Sequence, residues 1–305
     1  RILNTFGVEM IICCLTNIDS IDYNQGKYDK CKKQLSEKIF KKNNIKAKKV
    51  AFIPVNGSHG DNILKASDND KLSWYKGWSM KYKKDTKEGI TLIDAIRTST
   101  LQFGSKKIKD KSLIIPISRI DDGIVCGKIE QGVLNKSDKL NLIKSDNKTI
   151  VVTIKSIKRS SQEMECVKHG DYLELDLDFN DDEIKPEVGD VLSNDDDEKV
   201  KAITTLKALV DVKSSEKVVV GFSGEICIRG AMIECELTRI NYRLGKDNKK
   251  LKDQKYLGNN AQGQIELKLK QPLIATSFSA IESLGRFVVI NNNSPVLVGK
   301  IESVQ

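Results

Sequence analysis

The chain has 305 residues, of which 39% are hydrophobic and 30% charged, the composition of a globular protein with two or three domains. No apolar run approaches the roughly 20 residues of a membrane-spanning helix, so we expect no membrane span. The 51 basic residues exceed the 42 acidic ones and give a net charge of +9; this favours an anionic partner such as RNA, although a solvated lysine-rich surface explains it equally well.

Cysteine and histidine usage argues against several kinds of site. The seven cysteines include no CxxC pair, and an odd, scattered set indicates reduced thiols in the cytosol rather than disulfides. The two histidines, His59 and His169, lack the spacing of metal ligands or of a nucleophile–histidine pair. We therefore predict a cytoplasmic protein with no metal site and no catalytic residue in this chain. A first residue of Arg1, without a signal peptide, suggests that the sequence begins inside a longer protein.

The first hundred residues have an α/β pattern. Residues 9–15 and 50–55 are short apolar runs typical of buried strands. Residues 27–42 carry apolar side chains at helical spacing between lysines, and residues 90–97 form a second amphipathic segment. Strand, helix, strand, helix is the alternation of a parallel-sheet domain, which we place at residues 1–103.

Beyond residue 104, short alternating segments separated by turn residues predict two all-β barrels, at residues 110–195 and 203–305. The first barrel is predicted to contain strands at 113–117, 123–129, 139–143, 150–157 and 172–177. The second is predicted to contain strands at 206–212, 225–228, 231–242, 263–270, 273–278, 286–290 and 296–302. Pro272, which lacks an N–H, is expected to separate two of these strands.

Several residue strings along the chain resemble one family, in the family's own order. They are AFIPV at 51–55, GDNIL at 60–64, WYKGW at 74–78, TLIDA at 91–95, GKIEQGVL at 127–134, KHGD at 168–171, VGD at 188–190, LGRF at 284–287 and VLVG at 296–299. The family is the translational GTPases of the elongation factor one alpha group, whose members carry aminoacyl-tRNA, partner a release factor, or partner Pelota in ribosome rescue. The resemblance implies part of a P-loop-type G domain followed by two all-β barrel domains.

The resemblance also implies a weakened guanine site. The family's Asn-Lys-x-Asp motif, whose Asp accepts hydrogen bonds from guanine, corresponds to Thr16, Asn17, Ile18 and Asp19. Asp19 matches, but Asn17 lacks the lysine stem that lies over the base. A second element, which offers a backbone N–H to the guanine oxygen, corresponds to Asn56-Gly57. The alternative is a pair of ordinary strand-to-helix loops, with Asp19 capping a turn.

The phosphate end of the family's nucleotide site has no counterpart in this sequence. Neither GxxxxGK[ST] nor a DxxG segment is found, and in the family both lie upstream of the position where this chain begins. We therefore expect GTP and Mg²⁺ as cofactors of an intact parent GTPase, and no tight GTP binding or hydrolysis by these 305 residues alone.

The branch of the family is predicted from smaller features. The short segment at 19–31 and the string GKIE at 127–130 resemble the ribosome-rescue GTPase, so we expect part of a rescue factor that acts with a tRNA-shaped partner. The aminoacyl-tRNA carrier is the alternative within the group, favoured by the GDN and Trp78 strings. A degenerate RNA- or protein-binding platform without enzymatic activity is the alternative from another class.

The candidate contacts for a ribosome, a tRNA or a tRNA-shaped protein factor are basic residues of the last domain. They are Arg243, Lys246, Lys249, Lys250, Lys252 and Arg286. A solvated hairpin tip explains the lysines equally well, and pairing with a carboxylate of the same domain is the other role open to Arg286. We expect a monomer.

Overall fold

The computed structural model describes residues 11–41, 45–82, 85–103, 111–179, 185–194, 200–245, 247 and 249–305. The chain divides into two compact units, residues 1–106 and 107–305. The first is α/β, and the second holds two closed barrels, as the sequence predicts. The expected domain junctions, at 104–109 and 196–202, fall largely outside the described residues. No helix in the described ranges is long and apolar enough to cross a membrane.

The core of the first unit is a pair of parallel strands. Strand β1 (Ile11–Leu15) runs beside β2 (Val50–Pro54), with Leu15 opposite Pro54. Helix α1 (Gln25–Gln34) and a following π-helical segment (Leu35–Phe40) connect them. The side chain of Asn24 begins α1 by accepting a hydrogen bond from the N–H of Lys27 at 2.9 Å.

Two further strands of this unit were missed in the sequence. Strands β3 (Trp78–Tyr82) and β4 (Asp85–Gly89) form an antiparallel hairpin. The residues of β4, DTKEG, show no alternation of apolar and polar side chains, so periodicity gives no signal there. Trp78 and Met80 are buried beside β2.

Helix α2 (Leu92–Phe103) is longer than the predicted segment at 90–97. A reciprocal pair of hydrogen bonds fixes its start. The N–H of Asp94 donates to Thr91 Oγ1 at 3.1 Å, and the N–H of Thr91 donates to Asp94 Oδ2 at 3.0 Å. These bonds also hold the pKa of the Asp94 carboxyl below its usual value.

The first barrel closes through six strands in the order β9, β12, β6, β5, β13, β8 and back to β9. The strands of this region are β5 (Ile114–Asp121), β6 (Ile124–Lys128), β7 (Val133–Asn135), β8 (Lys139–Ile143), β9 (Thr149–Arg159), β10 (Gln162–Glu163), β11 (Cys166–Lys168), β12 (Tyr172–Asp178) and β13 (Val191–Ser193). The sequence analysis missed β13, which pairs with both β5 and β8 and so completes the closure.

The second barrel closes through β14, β20, β17, β16, β21 and β22. Its region contains β14 (Lys201–Val212), β15 (Val218–Val219), β16 (Ser223–Ile228), β17 (Ala231–Leu244), β18 (Lys250–Leu251), β19 (Tyr256–Leu257), β20 (Gln262–Ala275), β21 (Arg286–Asn291) and β22 (Ser294–Val304). Within the described part of residues 111–305, no α-helix is present.

The prediction for Pro272 was wrong. Pro272 lies inside the continuous strand β20 instead of separating two strands. The ladder with β14 shifts register there, from the pair Ile203 and Leu273 to the pair Thr205 and Lys268. A bulge of this kind leaves backbone groups without a ladder partner, so a residue lacking an N–H fits without breaking the sheet.

Candidate functional site

The predicted guanine loops leave the same edge of the parallel strands. Leu15 and Pro54 are partners at the ends of the parallel strands β1 and β2. The loop that follows Leu15 and the loop that follows Pro54 therefore begin side by side. The N–H of Val55 donates to the carbonyl of Leu15 at 2.9 Å. Thr16 follows β1 directly and is exposed. This carboxyl edge is where open α/β sheets bind their ligands.

A tight turn presents Asp19. Asn17 adopts a left-handed conformation (φ 55°), and residues Ile18–Ile21 form a single 3₁₀ turn anchored by Ile18, which is 2% exposed. The hydroxyl of Ser20 donates to the Asn17 carbonyl at 2.7 Å. The carboxylate of Asp19 is exposed and makes no hydrogen bond or ion pair with any residue in the described ranges. It is therefore available to a ligand, and it does not cap this turn.

Asn56 has a structural role in the second loop. Its side chain is buried, and Oδ1 accepts the N–H of Ser58 at 2.9 Å and that of His59 at 3.4 Å. Its amide nitrogen donates to Nδ1 of His59 at 2.9 Å. These bonds hold the side chain inside its own loop, so of the pair Asn56-Gly57 only the backbone can face a ligand.

Gly57 is exposed beside open space. A Cβ built on this residue would meet no atom within 4 Å. Its N–H donates to no carbonyl in the part of the chain that the structure describes. The backbone of Gly57 is therefore accessible to a ligand from this side.

A residue that sequence analysis missed links the two loops. The hydroxyl of Tyr23 donates to Asp61 Oδ2 at 3.2 Å and accepts from the amide of Asn56 at 3.4 Å. The carbonyl of Tyr23 accepts from Trp74 Nε1 at 2.9 Å. No spacing rule marks Tyr23, because its partners lie more than 30 positions further along the chain.

The GDN string has a structural role as well. Asp61 accepts a hydrogen bond from the hydroxyl of Ser67, and the side chain of Asn62 donates to the Pro54 carbonyl at 3.0 Å. Asn62 is 2% exposed and its carbonyl accepts from the N–H of Leu92 at 2.8 Å. This string therefore holds the second loop against the end of β2 and the start of α2.

The two loops can supply the hydrogen bonds of a guanine base. A carboxylate accepts from the ring N–H and the amino group of guanine, and a backbone N–H donates to its oxygen; adenine offers the opposite pattern. The Asp19 carboxylate and the Gly57 N–H are groups of these two kinds, whereas the side chain of Asn17 is shorter than a lysine stem. Among the described residues no group of three His, Cys, Asp or Glu could hold a metal ion.

The basic candidates fall into two groups. Arg243 lies on β17 opposite Leu251, Lys250 begins β18, and Lys249 and Lys252 are exposed beside them; Lys246 lies outside the described residues. Arg286 is different, because its side chain is only 11% exposed.

The guanidinium of Arg286 has partners within its own barrel. Its Nη2 atom lies 3.5 Å from Glu282 Oε2, and its central carbon lies 4.5 Å from the centroid of the Phe278 ring. The ion pair and the ring contact indicate a structural role for Arg286 within its barrel. A partner that binds this guanidinium would have to displace these interactions.

Comparison with known proteins identifies related sequences. A family described as GTP-eEF1A C-terminal domain-like matches residues 205–302, the second barrel. The elongation factor 1-alpha of Plasmodium falciparum is 26% identical over 310 residues and that of Saccharomyces cerevisiae is 27% identical over 311 residues. These alignments cover 99% and 98% of the chain, respectively, and 65% of each relative. The chain thus spans 65% of the length of the curated relatives it matches.

Solved structures share the fold. Sup35 complexed with GDP superposes with a TM-score of 0.59 at 21% identity, covering 99% of this chain and 71% of that one. The Ski7 GTPase-like domain of S. cerevisiae, bound to GTP, superposes with a TM-score of 0.69 at 14% identity, covering 96% of this chain and 64% of that one.

Proposed function

We propose, on the premise that the chain is a divergent relative of the translational GTPases, that it forms part of a ribosome-rescue factor acting with a tRNA-shaped partner. The intact factor would bind GTP with Mg²⁺ and use the nucleotide to control docking of that partner on the ribosome. In this proposal the first unit supplies the base-recognising end of the nucleotide site, and the two barrels supply the docking surface.

The strongest support is the position of Asp19 and Gly57 on two neighbouring loops. A carboxylate that pairs with no residue in the described part of the chain and a glycine beside open space lie on neighbouring loops at the carboxyl edge of β1 and β2. A carboxylate acceptor and an accessible backbone N–H are the two kinds of group that guanine recognition uses, and ligands of open α/β sheets bind at this edge. The arrangement therefore supports guanine recognition over the alternative of ordinary connecting loops.

Two sequence features favour rescue over aminoacyl-tRNA carriage. Strand β16 ends and β17 begins with CIRGAM at 227–232, where the carrier has a histidine-rich strand facing tRNA. After LGRF, the positions of a further Arg and a Thr in the group are held by Ile290 and Pro295. Loss of these polar groups removes contacts that an RNA acceptor end would use.

A platform without enzymatic activity is the second candidate, and Asn17 is the residue that favours it. In the group a lysine stem lies over the guanine, and a shorter side chain at this position weakens base binding. Partner binding could then persist in the barrels after nucleotide control has been lost.

Binding by the 305-residue chain to three ligands separates the candidates. We expect a Pelota-type factor to bind, and aminoacylated and deacylated tRNA to bind weakly and equally. A strong preference for aminoacylated tRNA would assign the chain to the carriers. Binding of the factor that guanine nucleotides leave unchanged in the intact protein would favour the platform.

A further inference from the structure

One face of the second barrel combines exposed apolar side chains with lysines. Val219 on β15 and Tyr256 on β19 are cross-strand partners that are 47% and 39% exposed. Their neighbours Val218 and Leu257 are 2% and 0% exposed and fill the core. The small sheet therefore buries one face and leaves an apolar face in solvent.

The turn beside this sheet adds a third exposed apolar residue. The N–H of Phe222 donates to the Val219 carbonyl at 3.1 Å, and Gly221 has a φ of +90°, the pattern of a type II turn with glycine at its third position. Val220 therefore occupies the second position and is 52% exposed. Val220 thus adds a third exposed apolar side chain beside Val219 and Tyr256, and contiguous exposed apolar residues are typical of interaction sites.

This apolar face adjoins the basic hairpin formed by β17 and β18. A Cβ on Gly263 would lie 3.1 Å from Leu257 Cδ2 and 3.4 Å from the Cα of Arg243, which places β19 against the base of the hairpin. Leu251 in the hairpin is a further exposed apolar residue, at 43%. We call this combined area the basic–apolar surface: Lys217, Val219, Val220, Lys250, Leu251, Lys252 and Tyr256.

The surface carries a strong positive charge. Three of its seven residues are lysines and none of the seven is acidic. Lys217 Nζ lies 4.4 Å from the centroid of the Tyr256 ring, and Lys250 Nζ lies 4.8 Å from that of Tyr242. Each lysine thus covers part of a tyrosine ring while keeping its charge near the surface.

These features fit a protein segment better than a nucleic acid strand. Single-stranded nucleic acids bind by stacking bases on open aromatic faces, and here a lysine ammonium already lies over both rings. The remaining apolar groups, Val219, Val220 and Leu251, are aliphatic and give no stacking surface. Aliphatic side chains rimmed by charged ones are typical of protein interfaces.

We propose that the basic–apolar surface binds an acidic segment of a partner protein that also carries aliphatic side chains. The acidic groups pair with the lysines, and the aliphatic ones cover the two valines. Because this surface belongs to the second barrel and the guanine loops belong to the first unit, the proposal can fail independently of the proposed function.

A fluorescein-labelled peptide of alternating glutamate and leucine pairs tests the proposal by fluorescence anisotropy with the 305-residue chain. A peptide of the same length with serine in place of leucine reports the electrostatic part alone, and labelled oligouridine reports RNA binding. We expect saturable binding of the glutamate–leucine peptide at low salt, weaker binding of the serine peptide, and a fall in both affinities as salt rises.

Matched variants separate the two parts of the surface. Val219→Ser with Val220→Ser should weaken the glutamate–leucine peptide about tenfold and leave the serine peptide unchanged. Lys249→Ala, Lys250→Ala and Lys252→Ala together should weaken both peptides and flatten the salt dependence. Val151→Ser, at an equally exposed valine (51%) of the other barrel, should change neither, and thermal melts confirm that each variant is folded.

Three results would overturn the proposal. One is no saturable peptide binding at low salt. Another is binding that the valine substitutions leave unchanged. The third is tighter binding of oligouridine that Tyr256→Ala abolishes, which would assign the surface to RNA.

Discussion

Arg229 of the second barrel and Glu130 of the first form an ion pair, with Nη1 and Oε1 3.0 Å apart. The Glu130 side chain is only 7% exposed, and the Nε of Arg229 donates to the Ser283 carbonyl at 3.1 Å. At the adjacent Gly230, a Cβ would lie 2.9 Å from the Cα of Ser118. The turn between β16 and β17, which contains Arg229 and Gly230, is therefore packed against the first barrel.

An apolar cluster reinforces this junction between the barrels. Its buried members come from both barrels and from the segment between them: Ile114, Ile143, Val191, Val200, Ile274, Ile281 and Leu284. Ion pair, hairpin tip and apolar cluster together join the barrels into a single body, in agreement with the single compact unit at residues 107–305.

Removal of the cation should destabilise this body. Arg229→Ala leaves the buried Glu130 carboxylate with Lys128, 3.8 Å away, as its remaining cationic partner among the described residues. Breaking a mostly buried pair in this way should lower the free energy of unfolding by about 1–3 kcal/mol, since Arg229 is itself partly exposed. Urea unfolding of the second unit measures the change.

Arg119→Ala is the control for that measurement. Arg119 pairs with Asp121, and both side chains are more than half exposed, so its loss should change the free energy of unfolding by less than about 1 kcal/mol. Equal losses in the two variants would show that the junction does not depend on the ion pair.

The link between the two predicted guanine loops is testable by deleting one hydroxyl. Tyr23→Phe removes the hydrogen bonds to Asp61 and Asn56 while keeping the ring. We expect a loss of about 1–2 kcal/mol in stability and faster amide hydrogen exchange at residues 56–61, because the loop loses its tie to the loop after β1.

Tyr75→Phe provides the comparison. Its hydroxyl donates to the Phe52 carbonyl at 3.1 Å, away from both loops. This variant should lose stability without a local change in exchange at residues 56–61. If exchange in that segment rises equally in both variants, Tyr23 has no specific role in holding the loops together.

Cysteine reactivity should follow burial. Burial raises the pKa of the Cys235 thiol to about 12, so very little thiolate is present at about pH 8. Cys166 is exposed. Iodoacetamide should therefore label Cys166 in the native protein and Cys235 only after denaturation, as measured by mass spectrometry. Rapid native labelling of Cys235 would contradict the closed core of the second barrel.

The general fold was predictable from the sequence because it follows from local patterns. Alternating segments predicted both barrels, and apolar runs predicted β1 and β2. The strand β13 was not predictable, because three residues carry no period and their pairing with β5 and β8 joins positions about 50 to 80 residues apart. The prediction for Pro272 failed because the bulge between β20 and β14 depends on how the two strands pair, and the sequence of one strand does not show it.

The candidate site rests on the resemblance to a family and stays a prediction. Asp19 and Gly57 were identified from motif positions. The burial of Asn56 and the hydrogen bonds of Tyr23 were not predicted. Both depend on residues that are distant in the sequence, and motif spacing does not show such contacts. Lys250 and Lys252 were identified by their charge alone. Val219 and Val220, which add apolar side chains to the same surface, lie about 30 residues earlier in the chain.

Tight binding of GTP should be absent. The sequence contains no GxxxxGK[ST], and phosphate and Mg²⁺ contacts are central to nucleotide sites of this kind. Titration of the 305-residue chain with a fluorescent GTP analogue should therefore show no saturation at micromolar concentrations. Saturation in that range would contradict this prediction and would show that the chain contains a phosphate-binding site that lacks the GxxxxGK[ST] motif.

The most direct test of the account is base selectivity, measured with nucleosides so that phosphate contacts play no part. Amide chemical shifts of the loops around Asp19 and Gly57 should move with millimolar guanosine and stay unchanged with adenosine. Asp19→Asn should abolish the response to guanosine and create one to xanthosine, because an amide reverses part of the hydrogen-bond pattern. Equal responses to guanosine and adenosine, or a response that Asp19→Asn leaves intact, would contradict guanine recognition by these loops.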